Sequence, residues 1–72
     1  MSIRFSARNQ LQAKVKSVKL GNVMAEVIVE LADGQEITSA ITRTSAESLD
    51  LKQGDEVLAI IKSTEVMIGK NE

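Results

Sequence analysis

From Leu11 to Val18 the chain reads LQAKVKSV, with Leu11, Ala13 and Val15 falling on one side and Gln12, Lys14 and Lys16 on the other. Successive side chains of an extended strand point to opposite faces, so this alternation predicts a half-exposed β-strand. Leu20-Gly21-Asn22 reads as a turn, because Gly and Asn tolerate positive φ and here separate two apolar runs. Val23 to Leu31, VMAEVIVEL, is a second strand with Ala25, Val27, Val29 and Leu31 on one face; its other face, Met24, Glu26, Ile28 and Glu30, is half apolar as well. Asp33-Gly34 suits a tight hairpin, and EITSAIT resumes a strand through Ile37 and Ile41. The first half of the chain is therefore a three-stranded meander.

The period changes at TSAESLDL. Thr44 and Glu47 stand at capping-box spacing, and Ala46, Leu49 and Leu51 are placed to point inward from one or two helical turns. Gly54 breaks the helix. Val57 to Lys62, VLAIIK, is then a strand apolar on both faces, with Val57, Ala59 and Ile61 on one and Leu58 and Ile60 on the other. A strand of that kind needs two coverings, and in so short a chain a second subunit is the simplest source of one. A last strand is expected over Glu65 to Ile68, followed by a polar end. Three strands, one short helix and two strands make the expected fold all-β: a five-stranded OB-type barrel with the helix between strands 3 and 4. An SH3-like barrel is the near alternative.

Composition narrows the chemistry. The 72 residues make one domain, spanning 1–72. The apolar fraction is 43% but the single aromatic is Phe5, so the core must be built from Val, Ile, Leu, Ala and Met, with Met24 and Met67 as core or interface filler. Neither Cys nor His is present. The usual nucleophile–base pairs and transition-metal ligands are thus missing, and no enzyme activity is expected. Lys and Arg are interleaved with Asp and Glu at a formal net charge of -1, unlike a polybasic module for nucleic acid or a membrane surface. No stretch approaches the roughly 18 to 20 apolar residues of a membrane span, so a cytoplasmic protein is expected.

Three blocks resemble a known family: Ser6-Ala7-Arg8-Asn9 ahead of the first strand, AITRTSAESLDL at 40–51, and GDEVLAIIKST at 54–64. Together they resemble the molybdenum-pterin-binding (Mop) or molbindin family, the stand-alone form of the transport-associated OB domain. The resemblance runs from Ile3 to about Ile68. It implies binding of molybdate or tungstate as an oxyanion, in a homo-oligomer, a hexamer described as a trimer of dimers. It also implies a role in molybdenum storage, buffering or homeostasis. The chain has no aromatic platform on which to sandwich a pterin ring.

A tetrahedral dianion needs converging donors, and charge-assisted bonds from Arg and Lys are the stronger ones. Ser6 and Arg8 supply a hydroxyl and a guanidinium fork near the start of the chain. Lys62 and Ser63 end the most apolar strand, and Thr42 and Ser45 flank the start of the short helix. By resemblance these six positions, Ser6, Arg8, Thr42, Ser45, Lys62 and Ser63, match the family's anion-binding pattern, with two subunits contributing to one site. The same residues also have structural readings: Ser6 and Asn9 as turn and edge residues, Arg8 as a solvated charge, Thr42 or Thr44 as a helix cap, Arg43 as a surface charge. Two other functions stay open at this point. A structural OB assembly domain would form oligomers without binding an oxyanion. A nucleic-acid-binding OB module would use stacking aromatics and a basic groove, which this chain lacks.

Overall fold

A computed structural model describes residues 4–71; Ile3 lies outside the described residues. The elements are β1 (Asn9–Leu20), β2 (Met24–Leu31), β3 (Glu36–Thr42), the helix α1 (Arg43–Ser48), β4 (Glu56–Ile61) and a single 3₁₀ turn at Ser63–Glu65. The four strands form one antiparallel sheet in the order β3-β2-β1-β4. This is an all-β fold with one short helix after the third strand, as the pattern predicts.

β1 holds the sheet together, pairing with β2 on one side and β4 on the other. Its register with β2 shifts between Val15 and Ser17, leaving Lys16 as an extra, bulged residue. A bulge reverses which parity faces inward beyond it. Before it, Ala13 and Val15 lie opposite Leu31 and Val29; after it, Val18 and Leu20 lie opposite Val27 and Ala25. Simple alternation from Leu11 would have turned Ser17 inward; the bulge returns Val18 to the core. Lys16 itself reaches over β2 to the Glu36 carboxylate, whose hydrogen bond holds the ammonium above its ordinary pKa.

The connections follow local backbone chemistry. Gly21 N–H donates to the Met24 carbonyl at 2.7 Å, and a Cβ at Gly21 would lie 2.8 Å from that oxygen. Close approach, rather than the expected positive φ, is therefore what requires glycine here. The β2–β3 loop closes with Leu31 N–H on the Gln35 carbonyl at 2.7 Å and with Gly34 at φ 89°. It is a three-residue loop ending in a left-handed glycine. The Asp33 carboxylate accepts from the Gln35 side chain at 2.6 Å and from its backbone N–H at 3.1 Å, which lowers its pKa.

Three expectations are corrected. Thr42, not Thr44, caps α1: its Oγ1 accepts from Ser45 N–H at 3.0 Å. Because the helix ends at Ser48, its period is not carried on to Leu49, which is 67% exposed, while Ala46 is buried. Asp50 then adopts φ 50° and reverses the chain, bringing Leu51 back against the core. The third correction is the fifth strand. Val66 is extended, with φ −91° and ψ 123°, but Glu65 to Ile68 pairs with no strand among the described residues, so the sheet is a four-stranded half-barrel.

The core is small. Ala13, Val15, Ala25, Val27, Val29 and Ala46 are its buried apolar residues, and half of them are alanines. β4 contributes only half-buried or exposed residues on both faces, so one chain supplies neither of its coverings completely. Met67 and Ile68 are 91% and 88% exposed. Such a fold has little stability to spare, so single backbone positions weigh heavily. Gly21→Ala forces a Cβ onto the Met24 carbonyl and should destabilise by about 1 to 3 kcal/mol. Asp50→Gly relieves a left-handed residue and should stabilise by about 0.5 to 1 kcal/mol. Urea melts of both variants check the pair of opposite signs; equal or same-direction shifts would contradict the backbone account.

Candidate functional site

The antiparallel pairing of β1 with β4 matches Asn9 with Ile61. Arg8 precedes Asn9 and Lys62 follows Ile61, so both cations lie just past the last pair of the ladder, at one end of the sheet, with Ser6 and Ser63 close by in sequence. The Asn9 side chain closes this end of the sheet, its Nδ2 donating to the Ile61 carbonyl at 3.3 Å. Ser6, Arg8, Lys62 and Ser63 are all exposed. Neither Arg8 nor Lys62 forms an ion pair among the described residues, whose salt bridges are Lys16–Glu36, Arg43–Glu47 and Lys52–Asp50. Two like charges gathered at one end of a sheet repel, and a dianion placed between them reverses the sign of that interaction.

Thr42 and Ser45 are elsewhere. Thr42 pairs with Met24 at the far end of β3, beside the Gly21 turn. β1 runs between the two groups for 12 residues, roughly 35 to 40 Å of extended chain. The structure thus brings four of the six sequence-selected residues together and leaves the other two at the opposite end of the sheet. Thr42 Oγ1 already accepts from Ser45 N–H and donates to Ser45 Oγ at 2.8 Å. Ser45 keeps its own hydroxyl hydrogen to donate outward. The cation nearest this pair is committed: Arg43 donates to the Gly21 carbonyl at 3.2 Å and lies 3.5 Å from the Glu47 carboxylate. Arg43 is therefore a strut between helix and turn, a role the sequence did not reveal. One end of the sheet offers charge without a cradle; the other offers hydroxyls without free charge.

An open groove of about 740 Å³ includes none of the six residues. Its rim carries Lys14 between its register partners Glu30 and Glu56. One cation between two carboxylates gives that groove a negative balance, and it repels an oxyanion. The described residues also contain no group of three Asp, Glu, His or Cys able to hold a metal ion. No helix among them is long and apolar enough to cross a membrane.

Sequence reasoning missed two amides. Asn9 was visible only as an edge residue, and Gln10 carried no signal, although its Nε2 donates to the Ala7 carbonyl at 2.7 Å. A side chain bonding back to a carbonyl three positions earlier is a local pattern that composition does not disclose.

Comparison with known proteins places the chain in a family. The family model of the TOBE domain matches residues 6–68. Molybdenum-pterin-binding protein 3 of Clostridium pasteurianum is 56% identical over 63 residues, covering 88% of this chain and 93% of that protein. The solved structure of MopII from Clostridium pasteurianum superposes with a TM-score of 0.88 at 51% identity, covering 93% of this chain and all of that one. A molybdate-binding protein from Sporomusa ovata superposes with a TM-score of 0.88 at 41% identity, covering 94% of this chain and all of that one. The chain belongs to the TOBE domain family, alongside the small molybdenum-pterin-binding proteins.

Proposed function

We propose that this protein binds molybdate, or the similarly shaped tungstate, at sites shared between subunits of a homo-oligomer, and so stores or buffers the anion in the cytoplasm. The observation that carries the reading is the placement of Arg8 and Lys62 next in sequence to the paired Asn9 and Ile61, at one end of the sheet, as two cations without carboxylate partners among the described residues. Two positive side chains balance one dianion. Without them its burial at a subunit boundary would cost several kcal/mol per charge. The names of the similar proteins point to the same ligand.

The split between the ends of the sheet supports a shared site. A strand of 12 residues keeps Thr42 and Ser45 of one chain from meeting its own Arg8 and Lys62. A second copy, docked so that its helix start faces the first copy's cations, supplies hydroxyls to the charged pair. Each such boundary then holds Ser6, Arg8, Lys62 and Ser63 from one subunit and Thr42 and Ser45 from the other.

Apolar exposure supports the oligomer independently. Met24, Ile60, Val66, Met67 and Ile68 are all exposed in the single chain. Val66 to Ile68, unpaired among the described residues and extended at Val66, is suited to completing a neighbour's sheet as the fifth strand, which would close the half-barrel. Six copies, the number implied by the family resemblance, is the expected assembly. A purely structural assembly domain shares this apolar surface but gives no use to the paired cations. The nucleic-acid reading has one exposed aromatic, Phe5, on which to stack a base.

The assembly is tested by sedimentation. Wild type should sediment as an oligomer at micromolar concentration, and Met67→Asp with Ile68→Asp should dissociate or unfold it. A well-folded wild-type monomer would refute the reading. For the ligand, Arg8→Ala and Lys62→Ala should each weaken molybdate binding at least thirtyfold in equilibrium dialysis, from the ~2 kcal/mol lower end of the cost of truncating one partner of a desolvated charge pair. Lys14→Ala, on the outer face of β1, should leave affinity within twofold, roughly the spread of ordinary surface substitutions. Undiminished binding in both cation variants would overturn the site. The anion should be recovered chemically unchanged.

A further inference from the structure

Ser6 lies between two carbonyls that accept from the same amide. Gln10 Nε2 donates to the Ala7 carbonyl at 2.7 Å and to the Phe5 carbonyl at 3.4 Å. A carboxamide nitrogen carries two hydrogens, one for each acceptor. Residues 4–8 belong to no strand or helix, and among the described residues these bonds are what tie the backbone around Ser6 to the sheet. Gln10 itself is fixed, because it lies within β1 opposite Ile60 of β4. One position earlier, Asn9 Nδ2 holds the Ile61 carbonyl, next to Lys62. Neighbouring amides thus reach in two directions: Gln10 to the turn bearing Ser6 and Arg8, Asn9 to the strand end bearing Lys62.

We infer that Gln10 is a positioning residue for the oxyanion, acting through Ser6 and Arg8. An unanchored turn of five residues would have to be ordered each time an anion bound. A turn already held by its carbonyls presents the hydroxyl and the guanidinium with that ordering done. The inference rests on the oxyanion reading above and adds to it a residue that touches no anion. Ordering one or two side chains costs enough binding free energy to change affinity roughly five- to fiftyfold.

Molybdate dialysis against the full-length assembled protein tests it. Gln10→Met keeps the length and removes both donors. Gln10→Glu keeps the shape but turns an acceptor-only carboxylate toward two carbonyls. Both variants should assemble as wild type and melt at a similar temperature, yet raise Kd roughly five- to fiftyfold. In a Ser6→Ala background the Gln10→Met loss should shrink, since part of what Gln10 positions is gone, whereas a merely structural role costs the same in both backgrounds. Unchanged affinity in both variants, an equal loss in the two backgrounds, or failure of both variants to assemble would overturn the inference. A wild-type chain that binds no molybdate would instead bring down the oxyanion reading, and this inference with it. Binding lost in Arg8→Ala but kept in both Gln10 variants would leave the reading standing and remove Gln10 from it.

Discussion

β1 is hydrogen-bonded on both edges, and the rest of the molecule is arranged by that pairing. Its first residues run beside the end of β4, which puts Arg8 and Lys62 at the same end of the sheet. Its last residues run beside the start of β2, and through β2 they fix the place of Thr42 and α1. The two ends of one strand therefore carry unlike chemistry, cationic at one and hydroxyl-bearing at the other. Neither end is a complete anion receptor, and a rigid strand keeps them from becoming one within a single chain. In the proposed function, assembly and ligand binding are then two aspects of one constraint.

Much of the fold was legible because period-two patterning and turn chemistry are local. Ala25, Val27 and Val29 alternate inward as written, and Gly34 takes the left-handed position that a short hairpin loop needs. The failures came where a neighbour decides. Nothing in LQAKVKSV announces that Lys16 is squeezed out of register, because a bulge is a property of two strands. Thr42 and Thr44 are equally plausible caps on paper, and the choice between them is made where β3 ends. Glu65 to Ile68 has a strand's composition and, at Val66, a strand's dihedrals, yet no partner within the chain.

For the candidate site, residue types were legible and grouping was not. Lys62 stood out because an ammonium at the end of an apolar strand asks for a partner, and Arg8 because Ser6-Ala7-Arg8-Asn9 resembles a family block. Their placement at one end of the sheet depends on the Asn9–Ile61 register, which links positions 52 residues apart. Arg43 looked like one more surface charge until its bonds to Gly21 and Glu47 were visible. Gln10 was silent, because its acceptors are backbone carbonyls and a carbonyl has no letter in the sequence.

The bulge at Lys16 also sets how the gene can vary. Residues 9–15 and 17–20 form two inward-facing sets of opposite parity, joined by a single unpaired position. Substitutions at Lys14 or Lys19, which face outward, change only surface. Loss of one codon at position 16 would give an unbroken ladder with Ala13, Val15, Val18 and Leu20 still on one face, whereas loss of one at position 14 would turn Leu11 and Ala13 to the opposite face from Val15. The bulge is thus the one place in β1 where a residue can be lost without turning the core outward, and relatives that keep the fold are expected to keep the spacing within each of the two sets.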